Sequence, residues 1–291
     1  MRLGTSMLSQ WNRLFERAGD GRVVCNRRLF KAYISQFPAR GIEHLEFTWD
    51  PPQAMEELFD EAWRDYLMRC QSDWGLTYSV HLPQFGLDVA ALHQKFADMS
   101  LEETVKAIAC TRDLPVANYV LHVGVSCARL HGTLSELSPP MLAYYWDETV
   151  ASARRTLSRL VEHVDSRKIA VEDLPYAPFE PLVPVILECD LGVCLDVGHA
   201  DRWGDDPAAF FVQHKDRISE IHFHDVKDAG DPDRVGVVPD HQALGSGHIG
   251  YRELIDAFAK EGFEGELTIE VQTPEDERVS VERARAYLAS R

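Results

Sequence analysis

Eight short apolar runs punctuate the chain, and nearly every one closes on a side chain able to bind a metal ion. Read as strands, they fall at Arg2–Met7, Ile42–Phe47, Thr77–Pro83, Tyr119–Gly124, Lys168–Asp173, Gly192–His199, Glu220–Val226 and Glu266–Val271. At or just past their C-terminal ends stand His81, His122, Glu172, Asp196 with His199, His222 with His224, and Glu270, and His241 follows in the loop after the seventh run. Randomly scattered polar residues would not collect at one end of successive strands. Stretches of helical periodicity fill the gaps. Pro51-Pro52 opens an amphipathic stretch over 53–72, and an S-x-x-E box at Ser100 and Glu103 precedes a helix expected at 104–112. Pro139-Pro140 opens the longest helix, over 141–163, and Asp206-Pro207 opens a short one; Tyr251–Lys260 and 279–289 complete the series.

Strand and helix alternate with no composition break that would mark a linker, which requires parallel strands joined by right-handed crossovers. Eight such units in 291 residues predict one (β/α)8 TIM-barrel domain over 1–291. That fold gathers its active site at the C-terminal ends of the strands. The competing doubly wound sheet would carry a glycine-rich phosphate turn after its first strand, and Gly4-Thr5-Ser6-Met7 is not one.

Charge narrows the partners. With 47 acidic against 30 basic residues, the net charge is −17, which repels phosphate backbones and anionic lipid; neither nucleic acid nor a membrane is an expected partner. Six dispersed cysteines without a C-x-x-C pair read as thiols in a reducing compartment. Met1–Gln10 has no apolar core of a signal peptide, and no run approaches the ~18 apolar residues of a membrane span. A cytoplasmic enzyme is expected, with its oligomeric state open.

The strand ends carry the chemistry. In GVCLDVGHA, Asp196 and His199 offer a hard oxygen and an imidazole, a donor pair suited to zinc or manganese; an N-capping aspartate beside a loop histidine is the alternative. In IHFHD, His222 and His224 are two apart and share a face, so one can bind metal while the other holds substrate, or both can be hydrogen-bonded core residues. Glu172 and Glu270 end very apolar strands, where a carboxylate needs an ion or a cationic partner. Lys227 and Arg202 are candidate phosphate contacts, and the Lys227–Asp240 loop is the one conspicuous insertion.

These residues, in the segments CLDVGHA (194–200), HFHDVK (222–227), HQALGSGHIG (241–250) and IEVQTP (269–274), make the chain resemble the xylose-isomerase-like TIM-barrel superfamily over nearly its whole length. The resemblance implies different sites in different branches. Isomerases and epimerases hold one manganese-like ion on two glutamates, an aspartate and a histidine, matching Glu172, Asp196, His222 and Glu270, and the two glutamates move the proton. The endonuclease IV branch adds histidines for three zinc ions, matching His81, His122, His199 and His241, with a lysine matching Lys227. This chain departs from that branch at Pro239, where an aspartate is usual and only Asp240 is adjacent, and in EDLP at 172–175. GLTYSVHLP at 75–83 resembles the cobamide-remodelling phosphodiesterases of the superfamily.

The expectation is therefore a divalent-metal enzyme holding one to three zinc or manganese ions and acting on a small phosphate- or sugar-containing molecule. Metal-assisted phosphodiester hydrolysis, possible on the nucleotide loop of a cobamide, comes first. In it Glu172 and Glu270 are catalytic and His224, Lys227, Arg202 and Asp240 meet substrate. A one-metal sugar or sugar-phosphate isomerase or epimerase is the alternative, and a non-catalytic metal-stabilised binding protein the third reading.

Overall fold

A computed structural model describes residues 1–128, 138–227 and 240–291. Among the described residues ten strands form, named in chain order: β1 (Arg2–Ser6), β2 (Phe15–Arg17), β3 (Val23–Cys25), β4 (His44–Thr48), β5 (Thr77–His81), β6 (Val116–His122), β7 (Ile169–Glu172), β8 (Gly192–Asp196), β9 (Ile218–Phe223) and β10 (Glu266–Ile269). Eight of them close a parallel barrel in the order β1-β10-β9-β8-β7-β6-β5-β4, so sequence order runs around the ring and β1 pairs with both β4 and β10. This is the expected (β/α)8 barrel. β2 and β3 form a separate antiparallel pair that sequence periodicity did not reveal, because each strand is only three residues long and largely solvent-facing.

Strand interiors were placed correctly, but the C-terminal ends were drawn too long in every case except Ile42–Phe47, which stops one residue short of the end of β4. The chain leaves the sheet at the functional residues themselves. Most clearly, β8 stops at Asp196, and His199 lies on the helix Val197–Trp203 rather than on the strand. The amphipathic stretch after Pro51-Pro52 is two helices, Pro52–Leu58 and Glu61–Trp74. They are divided at Asp60, whose carboxylate accepts the Trp63 N–H at 2.9 Å as an N-cap. The Ser100–Glu103 box does not start a helix: Ser100 lies inside Gln94–Thr111. Its hydroxyl donates back to the Phe96 carbonyl and accepts the Asp88 N–H, the local alternative open to a mid-helix serine. The longest helix is Pro139–Leu160, and the chain ends in Pro274–Ala289, which starts earlier than expected because Thr273 caps it ahead of Glu275, Asp276 and Glu277.

The main core lies between barrel and helices, where Leu45, Phe47, Tyr78, Val80, Ile221, Phe223, Leu267 and Ile269 are fully buried. Alternation along each strand turns the intervening residues inward. Few of those are apolar, and Val120, Ala170 and Cys194 form a small cluster of their own.

Candidate active site

Four barrel strands deliver one donor each to a common point. Glu172 ends β7, Asp196 ends β8, His222 lies on β9 and Glu270 directly follows β10. Their ligand atoms all lie within 4.8 Å of one another. His222 Nδ1 sits among the carboxylates, 3.0 Å from Glu270 Oε2, 3.4 Å from Glu172 Oε1 and 3.9 Å from Asp196 Oδ2. All four residues are buried, yet His222 Nδ1 and Glu172 Oε2 have no hydrogen-bond partner. Buried polar atoms without partners are costly, and three carboxylates converging on one imidazole suit a divalent cation that takes mixed oxygen and nitrogen donors. The donor set fits such an ion.

Further histidines crowd the same region. His81 Nε2 and His122 Nε2 approach Glu172 Oε2 at 3.2 and 2.8 Å, and these three residues form a second group of convergent donors. His199, Asp240 and His241 make a third, and Asp196, His224 and His241 converge as well. Hydrogen bonds fix which ring nitrogen is free. His81 Nδ1 lies 3.1 Å from the Leu82 carbonyl and His199 Nδ1 lies 3.0 Å from that of Asp173. A carbonyl only accepts, so each Nδ1 carries a proton, and Nε2 is the nitrogen that can offer a lone pair when the ring is neutral.

His224 is wired the other way. The backbone N–H of His241 donates to its Nδ1 at 2.9 Å, so Nε2 carries the proton and donates to Asp196 Oδ1 at 2.9 Å. Expected at the substrate, His224 stands fully buried behind Asp196 and braces it. The ring also explains Gly198, since a Cβ there would fall 2.0 Å from His224 Cε1. Asp196 is an N-cap as well as a candidate ligand, because Oδ1 accepts the Gly198 and His199 N–H groups at 2.8 Å each. The two readings of this residue are compatible.

The charges are strongly interdependent. Burial pushes the Glu172 carboxyl up, but His122 and His222 outweigh it and hold the group well below the usual carboxylate range. Glu270 is likewise opposed by burial and drawn down to about 2, chiefly by His222. Burial lowers His81, while its close contact with the Glu172 carboxylate more than reverses this and raises it to about 9. His241 is pushed down to about 4 by burial and then by His224.

Above this floor opens a cavity of about 540 Å³. Its floor is made by His81, His122, Glu172, His199, His241 and Glu270; Leu8, Trp11, Phe85, Val125, Leu174 and Tyr176 contribute apolar walls. Arg202 does not line it. Its guanidinium is paired with Asp240, donates to the Tyr176 hydroxyl at 2.7 Å and lies 4.7 Å over the Tyr176 ring. Lys227 is exposed and outside the cavity lining, while Pro239 and the rest of 228–239 lie outside the described residues. Sequence reasoning missed Glu46, on the opposite side of the barrel, which meets His222 Nε2 at 3.0 Å. The signal was a glutamate in the middle of the strand HLEFT, all five residues of which are buried.

Among the described residues no helix is long and apolar enough to cross a membrane. The chain is 26% identical over 238 residues to the uncharacterized protein MJ1311 of Methanocaldococcus jannaschii, covering 77% of this chain and 74% of that one. Its fold is that of a D-tagatose 3-epimerase-like protein (TM-score 0.72, 20% identity, 100% of this chain and 98% of that chain). It also matches the IolI protein crystallised with a zinc atom (TM-score 0.68, 15% identity, 100% and 96%). Residues 36–291 match the model of one family, and the chain belongs to it: the xylose isomerase-like TIM barrels.

Proposed function

We propose that the protein is a divalent-metal-dependent isomerase or epimerase that moves a proton at a carbon of a small, hydroxylated, sugar-like substrate. One observation carries this reading: of the four convergent donors, the two glutamates line the cavity, while Asp196 and His222 do not. Two carboxylates facing one bound molecule can take a proton from a carbon beside a carbonyl and return one to the same or the neighbouring carbon. A bound divalent ion supplies positive charge that polarises the substrate oxygens. Glu172 and Glu270 are both held ionised by surrounding imidazoles, so either is ready to accept a proton. His122 and His199 also line the cavity and are placed to meet substrate hydroxyls. The walls of Trp11, Phe85 and Leu174 limit water around the reacting carbon. The epimerase-like structural neighbour and the zinc-bound IolI support the choice of reaction class and cofactor.

The test is incubation of the metal-loaded protein with a panel of ketoses and cyclic polyol ketones in D2O. Deuterium entering one substrate carbon is the expected result. No exchange across the panel overturns the reading.

A second reading, phosphodiester hydrolysis as in cobamide remodelling, is favoured by the two additional donor groups, His81–His122–Glu172 and His199–Asp240–His241. Several ions flanking a phosphate would activate water and hold the leaving oxygen. Elemental analysis separates the two: one equivalent of metal per chain fits the isomerase or epimerase, and two or three fit hydrolysis.

A further inference from the structure

We infer that Glu46 is a positioning residue that sets the tautomer and ligand strength of His222 from the far side of the barrel. The inference rests on Glu172, Asp196, His222 and Glu270 forming an ion site. For His222 to serve that site its Nδ1 must offer a lone pair, so the ring proton must reside on Nε2. Nε2 faces Glu46 Oε2 at 3.0 Å, and both side chains are fully buried. A carboxylate accepts that proton and holds the ring in the required orientation.

The arrangement differs from that of the neighbouring histidines. His81 and His199 have their non-ligand nitrogens satisfied by neutral backbone carbonyls. His199 Nδ1 also has Glu172 Oε1 at 3.4 Å, a member of the donor cluster itself; of the three, only His222 is backed by a carboxylate from outside the four-donor cluster. A negative charge on the outer nitrogen makes the inner one a stronger donor. Local structure does not account for Glu46 otherwise. It lies 176 residues from its partner in sequence, and its second oxygen, Oε1, has no hydrogen-bond partner. The nearby Glu220 is different: Ser79, Asn118 and Thr268 all donate to it, as expected of a carboxylate held by ordinary polar packing.

The experiment measures zinc affinity by chelator competition, with no substrate present, in wild type, Glu46→Gln, Glu46→Asp and Glu277→Gln. Glu277 serves as the control. It is equally buried and is bound by Arg40, Gln10 and Tyr33 away from the donor cluster. Glu46→Gln should weaken zinc binding by about 10–100-fold, and Glu46→Asp, which keeps the charge but withdraws it, by less. Glu277→Gln should lower Tm and leave zinc affinity unchanged. Histidine ¹⁵N spectra of the metal-free protein, recorded at a pH high enough for the ring to be neutral, should show His222 as the Nε2–H tautomer in wild type and a mixture in Glu46→Gln, where the amide can donate as well as accept. Zinc affinities for both Glu46 variants within twofold of wild type would overturn the inference and leave the ion site intact. Equal weakening by Glu277→Gln would overturn it too, by showing a general effect of losing a buried carboxylate. A wild-type protein that binds no zinc would overturn the ion site and this inference together. Should Glu46→Gln not fold, Glu46→Asp decides alone, with undiminished affinity counting against the proposal.

Discussion

The two faces of the barrel wall are equally buried and chemically opposite. Outward, Leu45, Phe47, Tyr78, Val80, Ile221, Phe223, Leu267 and Ile269 pack against the helices; inward, His44, Glu46, Ser79, Glu220, His222, Glu266 and Thr268 are just as inaccessible. The outer face stabilises the fold by removing apolar surface from water, roughly 1.5–3 kcal/mol for each large side chain. The inner face works against it, because buried charges cost several kcal/mol unless well paired. The inner residues endure by bonding to one another: Thr268 to Glu220 on the neighbouring strand at 2.7 Å, and, across the interior, Ser79 to Glu220 at 2.9 Å and His222 to Glu46 at 3.0 Å. The difference teaches that stability and chemistry occupy alternate residues of the same strands, and single substitutions should separate them.

The largest separation is expected at Glu172. Glu172→Gln should lower turnover by about 10²–10⁴-fold while lowering Tm by only a few degrees, read by single-turnover kinetics and calorimetry. Activity within tenfold of wild type would mean that the reacting group lies elsewhere. On the opposite face, Phe47→Ala should cost about 3–5 kcal/mol of folding stability, while zinc bound per folded chain stays constant. A parallel loss of zinc would break the division between faces. The smallest effect sharpens the comparison through pH. His81 is raised from 6.5 to about 9, so in metal-free protein its stabilising contribution is complete below pH 6.5 and disappears as pH rises through 9. Metal-free Tm should therefore fall by a few degrees across that window. With zinc held by Glu172 and its three partners, the ion takes up the carboxylate charge that sustains the His81 proton, and the decline should shrink. A flat metal-free profile would show that His81 and Glu172 do not pair in solution.

The repeating strand and helix periods made the barrel legible, and the regular placement of Glu172, Asp196, His222 and Glu270 at strand ends made the donor cluster legible with it. Boundaries were less so. β8 ends at Asp196 because that residue caps the following helix, a local hydrogen bond that the apolar run through Val197 conceals. The helix break at Asp60 was hidden in the same way by an amphipathic pattern continuing across it. Arg202 and Lys227 show the limit for single charges. The sequence offers both as cations near the site, but Arg202 is engaged by Asp240 and Tyr176, and Lys227 is exposed and is not among the residues lining the cavity.

By itself the sequence determined the order of elements, the parallel closed architecture and the set of donor residues, because periodicity and residue type are local properties that the backbone repeats eight times. Only the tertiary structure decided which nitrogen each histidine offers, that His224 braces Asp196, and that Glu46 stands behind His222. Those assignments depend on partners brought together when the barrel closes. Closure joins β1 to β10 and turns residues far apart in the chain into neighbours across its interior.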